Sequence, residues 1–189
     1  MRPKGRWINC HLSGRMSRVT TVRATRKLLQ RLGPTTPDPP ASTSLLGDWY
    51  ATYLPWRPRQ IALLINERTL LPLLMPLAPA RTLLQRFPDH LAELLNAHHT
   101  PPHVNAAEVA AARHTNLATT ANRSLVGSLN EFAFLAEHHR DRAEPLDLLG
   151  LSLKLSRVPC GPLFKRHVSP DRELAALIHD LPPGGPALS

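Results

Sequence analysis

The segment 119–128 carries the side chains best suited to recognition chemistry, where the pattern predicts the start of a helix. The first turn of a helix presents unpaired backbone N–H groups and a partial positive charge, so it can hold a phosphate or a carboxylate. Arg123 can add a bidentate contact to such a group. The alternative is structural: Asn122 or Thr120 caps the helix, and Gly127 and Ser128 allow close packing against a sheet.

A catalytic interpretation of the same segment uses Ser124 or Ser128 as a nucleophile. Its partner would be a carboxylate, either Asp48, Glu67 or Glu131. The sequence contains no Gly-rich phosphate loop, zinc-protease helix or nucleophile elbow that would support this chemistry. We therefore predict a protein that is not an enzyme, and keep a small Ser-dependent hydrolase or transferase as an alternative.

Ten histidines invite a search for a metal site, and His98, His99 and His103 lie close together in the sequence. Two prolines at 101 and 102 separate them, so they do not form a helical i, i+4 pair, and no cysteine or carboxylate completes a ligand set. Two cysteines, Cys10 and Cys160, form neither a disulfide framework nor a metal spacing. The sequence predicts no metal site and no cofactor, and a reduced bacterial cytoplasm as the compartment.

The net charge of +9 is concentrated near the N-terminus. Residues 1–31 hold nine basic side chains and no carboxylate, whereas residues 32–189 hold fourteen of each sign. A nucleic acid would therefore bind the N-terminal arm, and an unused basic tail is the other interpretation. The candidate contacts are Arg18, Arg23, Arg26, Lys27 and Arg31. No apolar run approaches the length of a membrane span, so we expect no membrane partner. Either Met1 or Met16 can be the native start.

The N-terminal half predicts a small sheet. A short strand at 20–25 and a helix at 26–32 precede a Pro-rich loop at 34–44. Three further strands, at 49–56, 60–66 and 69–75, follow as an antiparallel meander. The middle strand is apolar on both faces, which indicates a central position. Pro72 cannot donate to a neighbouring strand, so the third strand is expected at an edge.

The C-terminal half is mainly helical. A helix over 79–99 should kink or restart at Pro88. Asn105 and Glu108 form a capping-box pattern for a helix that ends near residue 113, and a short strand at 114–120 follows. The segment after residue 145 suits a strand or a helix, of which we prefer the helix. Ser169 and Pro170 begin a last helix that ends near residue 180.

The helix after Asn122 has the clearest core-facing stripe in the chain. Its apolar residues recur at helical spacing, as a helix that docks on a core requires. The members of this stripe are Leu125, Leu129, Phe132, Ala133 and Ala136. The opposite side carries the small or polar residues Ser124, Gly127, Ser128 and Glu131.

Three segments together carry a resemblance: Gly-Asp-Trp-Tyr-Ala-Thr-Tyr-Leu at 47–54, Leu-Leu-Ile-Asn-Glu-Arg-Thr-Leu at 63–70, and Thr-Ala-Asn-Arg-Ser-Leu-Val-Gly-Ser-Leu-Asn-Glu-Phe-Ala-Phe at 120–134. Over about residues 19–140, the chain resembles a bacterial family known only as a domain of unknown function. The resemblance brings no activity or ligand, but implies one shared architecture for a set of eight residues. They are Trp49, Asn66, Arg68, Asn122, Arg123, Gly127, Ser128 and Asn130. Tyr50 stands where this family commonly has His, which counts against His-based catalysis. Leu129 stands where a Met is common.

These observations predict one α+β domain over residues 19–181, a small antiparallel sheet covered by helices. Disordered segments are expected at 1–18 and 182–189. The predicted function is non-catalytic binding of a protein or of an anionic ligand, with nucleic-acid or phosphate-ligand binding through the arm and the segment 119–128 as the alternative. The predicted ligand-binding residues are Trp49, Arg68, Thr120, Asn122, Arg123, Ser124, Ser128 and Asn130.

Overall fold

A computed structural model describes residues 18–140 and 146–181. The predicted disordered segments, 1–18 and 182–189, lie outside the described residues apart from Arg18. Six α-helices and five strands lie in the described part of the chain, which confirms the predicted α+β class. The strands are β1 (Thr20–Ala24), β2 (Trp49–Leu54), β3 (Ile61–Asn66), β4 (Pro72–Pro76) and β5 (Thr115–Thr119). The helices are α1 (Arg26–Leu32), α2 (Leu83–Ala97), α3 (Pro102–Ala112), α4 (Arg123–His139), α5 (Leu148–Ser156) and α6 (Pro170–His179). Short 3-10 turns lie at Ala80–Thr82 and Gly161–Leu163.

The five strands form one sheet in the order β4-β3-β2-β1-β5. β2, β3 and β4 are an antiparallel meander, and β4, which begins at Pro72, is at an edge, both as predicted. The sheet as a whole is mixed, because β1 runs parallel to both β2 and β5. A parallel pair needs a long crossover connection, and α1 with the loop that follows it provides one between β1 and β2.

The two faces of the sheet carry separate cores. On one face, Val22, Trp49 and Leu64 pack with the inner side of α2. On the other face, Tyr50, Leu63 and Ile65 pack with α4 and α5. Every residue of β3 is buried, as its apolar pattern predicted.

The predicted capping box of Asn105 and Glu108 is wrong. The helix begins at Pro102, four residues earlier than a cap at Asn105 requires, because proline suits the first helical position, where no N–H is needed. Both side chains lie inside α3 and are buried. Pro88 does not start a second helix, since α2 continues past it.

The core stripe predicted for α4 is confirmed, but Ser128, which was predicted on the opposite side, is buried with the core. Leu129, Phe132 and Ala136 are buried in the core, and Leu125 and Ala133 pack partly buried against it. The segment after residue 145 forms a helix, α5, as preferred. These elements place one side of α4 on the sheet and turn the other side to solvent.

Candidate functional site

The start of α4 is closed by its own cap. The Oδ1 atom of Asn122 accepts hydrogen bonds from the N–H groups of Ser124 and Leu125, at 2.9 and 3.3 Å. The carbonyl of Asn122 accepts a third, from the N–H of Val126 at 3.1 Å. A phosphate at this helix start would have to displace the Asn122 side chain, so the structural interpretation of Asn122 holds.

The solvent side of α4 forms a continuous surface, which we call the outer face. At 3.6 residues per turn its members fall within roughly a third of the helix circumference. They are Arg123, Ser124, Gly127, Asn130, Glu131, Phe134 and His138, all exposed. Three of the predicted ligand-binding residues, Arg123, Ser124 and Asn130, therefore share one surface.

Phe134 is the apolar centre of the outer face. Its side chain is 66% exposed, and the ring of His138 stacks on it with centroids 5.4 Å apart. Phe134 was not among the predicted site residues, although it lies seven residues after Gly127 and so on the same side of the helix. Helical spacing counted from the polar residues, rather than from the core stripe, would have found it.

Gly127 lies in the interior of α4 without a packing reason. A Cβ atom at this position would meet nothing within 4 Å. The expectation that Gly127 allows close packing against the sheet is therefore wrong, since it is on the solvent side. Gly150 in α5 differs, because a Cβ there would collide with the carboxylate of Asp147, which caps that helix.

The remaining predicted ligand-binding residues lie away from the outer face. Trp49 is 1% exposed and packs edge-on against Phe87, on the opposite face of the sheet from α4. Ser128 is buried on the inner side of α4, and Thr120 is half-buried before the helix begins. Arg68 lies in the β3–β4 turn, where its Nη1 atom donates to the carbonyl of Leu45 at 2.7 Å.

The β3–β4 turn is joined to the loop before β2, and we call residues 66–69 together with 44–48 the clamped turn. The amide of Asn66 donates to the carbonyls of Leu46 and Asp48, at 2.8 and 3.3 Å. Its Oδ1 atom accepts from the N–H groups of Arg68 and Thr69 and from the Thr69 hydroxyl. These five bonds make Asn66 a structural residue.

Glu108 ties α3 to the clamped turn. Its carboxylate is 2% exposed and accepts from the N–H groups of Leu45 and Leu46, at 2.7 and 3.3 Å. Burial raises the pKa of the Glu108 carboxyl above its ordinary value, while the two N–H groups oppose that rise. Glu67 adds to the same network, because its Oε1 atom accepts from the N–H of Asp48 at 3.0 Å.

The residues predicted to contact nucleic acid do not all lie together in the structure. Arg18 precedes β1, whereas Arg26, Lys27 and Arg31 follow it on α1, and five strand residues separate them by roughly 17 Å. Arg23 lies between and pairs with Asp48 at 2.5 Å. The Ser42 hydroxyl also donates to Asp48. Asp48 therefore neutralises the charge of Arg23, whose side chain is partly buried.

No catalytic arrangement forms around the candidate nucleophiles. In the part of the chain that the structure describes, no hydrogen bond joins Ser124 or Ser128 to a carboxylate of Asp48, Glu67 or Glu131. Burial raises the pKa of the free Cys160 thiol to about 11, with a smaller contribution from Glu131, so it stays protonated at neutral pH.

Neither a metal cluster nor a membrane-spanning helix is found within residues 18–140 and 146–181. The His, Cys, Asp and Glu side chains there do not gather in groups of three or more that can hold a metal ion. The helices there are too short or too polar to cross a membrane.

Comparisons with known proteins give a family and nothing more specific. No curated protein and no solved structure shows a significant match to the chain. A family profile described as a domain of unknown function, DUF6933, matches residues 21–173, which confirms the resemblance seen in the sequence motifs. The chain therefore belongs to the DUF6933 family.

Proposed function

We propose that this domain is a non-catalytic binding module that recognises a protein partner through the outer face of α4. The observation that carries the proposal is Gly127. A glycine in a helix interior costs about 1 kcal/mol relative to alanine, and no contact within the domain requires one here. Close approach of another polypeptide backbone to α4 supplies the missing reason, since only glycine leaves the helix surface free at that point.

The side chains around Gly127 suit a protein interface. Aromatic residues and arginine are the side chains that most often dominate binding energy, and Phe134 and Arg123 flank the glycine along the same face. Asn130, Ser124 and Glu131, which are exposed, add hydrogen-bonding groups. A face with an exposed aromatic centre and a polar surround has the anatomy of a modest, non-obligate interface.

The absence of a paired nucleophile and base in the described residues supports a non-catalytic role for this surface. Ser124 is exposed, but its backbone N–H serves the Asn122 cap and no carboxylate bonds its hydroxyl. The predicted setting, the cytoplasm of a bacterium, is part of the proposal and suits a free, buried Cys160.

Phe134→Glu tests the proposal, and the chain offers a matched control. Phe164 is 63% exposed, close to the value for Phe134, but lies outside α4. Wild-type protein, Phe134→Glu and Phe164→Glu would each be expressed at native level in the source cells with an affinity tag. Proteins that co-purify would be quantified by mass spectrometry, after cross-linking with a short amine-reactive reagent.

We expect at least one protein to be retained by the wild type and by Phe164→Glu, and to be depleted about tenfold or more by Phe134→Glu. The partner identified in this way would then be titrated against Gly127→Ala, for which we expect weaker binding without loss of folding. Identical partner profiles for the two phenylalanine variants would contradict the proposal. So would a partner that binds Gly127→Ala as tightly as the wild type.

A further inference from the structure

One end of the sheet gathers three segments that carry basic side chains and no carboxylate. We call them the basic end: α1 (26–32), the β2–β3 connection (55–60), and the chain from the end of β4 through the first 3-10 turn (76–82). Their basic residues are Arg26, Lys27, Arg31, Arg57, Arg59 and Arg81. The other described residues hold twelve basic and twelve acidic side chains, so the excess positive charge of the described chain lies at this end.

Direct contacts join the three segments into one surface. The Nη1 atom of Arg31 donates to Oε1 of Gln60 at 2.8 Å, which links α1 to the β2–β3 connection. The carbonyl of Gln60 accepts from the N–H of Leu77 at 2.9 Å, which links that connection to the chain after β4. α1 also packs against the 3-10 turn Ala80–Thr82. Basic residues that are far apart in the sequence are therefore neighbours in the fold.

The cations of the basic end are open to solvent. Arg26, Lys27, Arg57, Arg59 and Arg81 are exposed, and no ion pair among the described residues includes any of them. A surface that serves only solubility mixes both signs, because adjacent like charges repel. Six cations without a carboxylate form a field that attracts an extended anion.

Arginines also cover the aromatic rings at this end. The guanidinium of Arg31 lies 4.3 Å from the centre of the Tyr53 ring, and that of Arg140 lies 4.7 Å from the centre of the Trp56 ring. Nucleic-acid bases would find no free ring on which to stack. The large apolar side chains exposed in the described residues, Phe134 and Phe164, lie outside the basic end, so it has no apolar anchor for a lipid bilayer.

We propose that the basic end binds nucleic acid through its phosphate backbone, without reading the bases. Five of the six cations are arginines, whose planar guanidinium groups match phosphate oxygens in a bidentate manner. Contacts to phosphates alone give binding that is independent of sequence and strongly dependent on salt. The basic end joins Arg26, Lys27 and Arg31, which the sequence assigned to the N-terminal arm, to Arg57, Arg59 and Arg81 from two later segments. It is distinct from the outer face of α4, so this proposal stands independently of the protein partner.

The test is a titration of the full chain against a short fluorescein-labelled DNA duplex of arbitrary sequence, followed by fluorescence anisotropy at several salt concentrations. We expect the logarithm of the affinity to fall linearly with the logarithm of the salt concentration, with a slope of roughly −4 to −5 for about five phosphate contacts. In Lys27→Glu/Arg59→Glu we expect affinity to fall about tenfold or more, and the slope to shrink by about 2.

Two full-length control variants show whether a loss of affinity is specific to the basic end or follows from any loss of positive charge. Arg113→Glu/Arg172→Glu changes the net charge by the same amount at exposed positions elsewhere, and should bind nearly as well as the wild type. Arg2→Gln/Lys4→Gln/Arg6→Gln removes charge from the N-terminal arm, and should retain most of the affinity. If circular dichroism shows that Lys27→Glu/Arg59→Glu is unfolded, Arg57→Glu/Arg81→Glu takes its place on the same surface.

Four results would overturn the proposal. The first is no salt-dependent binding of the wild type at concentrations up to about 10⁻⁴ M, the weak limit of non-specific DNA binding. The second is an equal loss in the basic-end variant and in the Arg113→Glu/Arg172→Glu control. The third is a loss confined to the arm variant. The fourth is tighter binding of phosphatidylserine vesicles or of polyglutamate than of the duplex, which would assign the surface to a membrane or to an acidic protein.

Discussion

The polar side chains at the two ends of the β2–β3–β4 meander differ in their partners: at one end they bond to the protein, and at the other most of them face solvent. At the clamped turn, Asn66, Glu67 and Arg68 each bond to the loop before β2, and Glu108 completes the network from α3. At the basic end, five of the six cations have neither an ion-pair nor a hydrogen-bond partner among the described residues, and face solvent. The same three strands therefore connect a network of internal hydrogen bonds at one end of the sheet to a surface of exposed cations at the other.

This difference separates residues that hold the fold from residues that are available to a ligand. A buried polar group must find partners inside the protein, because leaving it unpaired costs about 1–3 kcal/mol. An exposed cation has no such requirement, since water solvates it. The outer face of α4 belongs with the basic end in this respect. Substitutions at the two kinds of site should therefore differ in stability and in binding.

Asn66→Ala should produce the largest loss of stability. It removes all five hydrogen bonds of a fully buried amide and leaves the Leu46 carbonyl and the Thr69 N–H without that partner. We expect the free energy of unfolding, measured by urea denaturation, to fall by about 3 kcal/mol or more. Gln60→Ala, which removes an exposed amide at the basic end, should change it by less than about 0.5 kcal/mol. Equal losses of unfolding free energy in the two variants would contradict the difference between the two ends.

Glu108→Gln should destabilise by about 1–3 kcal/mol, because each oxygen of the Glu108 carboxyl group accepts one N–H bond, whereas the amide nitrogen of Gln cannot accept. The effect should also depend on pH. The pKa of Glu108 is raised in the folded state, so the folded protein keeps a proton that the unfolded chain has already released.

The stability linked to the Glu108 proton is complete below the ordinary pKa of the carboxyl and is lost as pH rises through the higher folded pKa. The stability difference between the wild type and Glu108→Gln should therefore shrink as pH rises from acid towards neutral, in urea titrations at constant ionic strength. A difference that grows with pH would mean that the two N–H bonds outweigh burial.

Gly127→Ala should raise the free energy of unfolding by about 0.5–1 kcal/mol, because the added methyl group meets open space and alanine favours the helix. Gly150→Ala is the matched comparison within a helix of the same domain. There the methyl group would displace the Asp147 cap, so we expect a loss of about 1 kcal/mol instead. Thermal unfolding, monitored by circular dichroism, measures the direction of the stability change in each variant. Destabilisation by Gly127→Ala would show that the outer face is packed after all.

Arg59→Gln should have the smallest effect. Removing one of six like charges relieves repulsion at the basic end, so we expect stabilisation by a few tenths of a kcal/mol at low salt, which disappears as salt screens the charges. Arg113→Gln, from the balanced part of the surface, should show no such dependence. The comparison needs urea titrations of both variants at low and high salt. A salt-independent effect of Arg59→Gln would argue against mutual repulsion.

Local patterns predicted most of the secondary structure. The apolar run 61–65 indicated a central strand, Pro72 an edge, and Asn122 a helix cap, because each signal depends on near neighbours in the chain. The Asn105 and Glu108 pattern failed because the same spacing serves a cap or two inward-facing side chains, and only tertiary packing decides between them.

The candidate surfaces were less visible in the sequence. Asn122, Arg123, Ser124 and Asn130 were recognised as a group, but their separation from Trp49 depends on which face of the sheet each covers. The basic end was hidden for another reason. Its three segments are spread over 57 residues and contribute only three, two and one cations, so no short window of sequence contains the surface. Counting charge along the chain assigned the excess to the N-terminus.

The position of β1 between β2 and β5 has a consequence for synthesis of the chain. β2, β3 and β4 can pair as soon as residue 76 has been made, and β1 can join them. The other side of β1 then waits for β5, which follows about 90 residues after β1. The last residue of β5 is made 43 residues after the last residue of β4. At a translation rate of roughly 5–20 residues per second, that edge therefore stays open for about 2–9 seconds on the ribosome. An open strand edge is a template for pairing with other chains. Nascent chains that pause between residues 77 and 114 should therefore be the form of this protein most prone to aggregate.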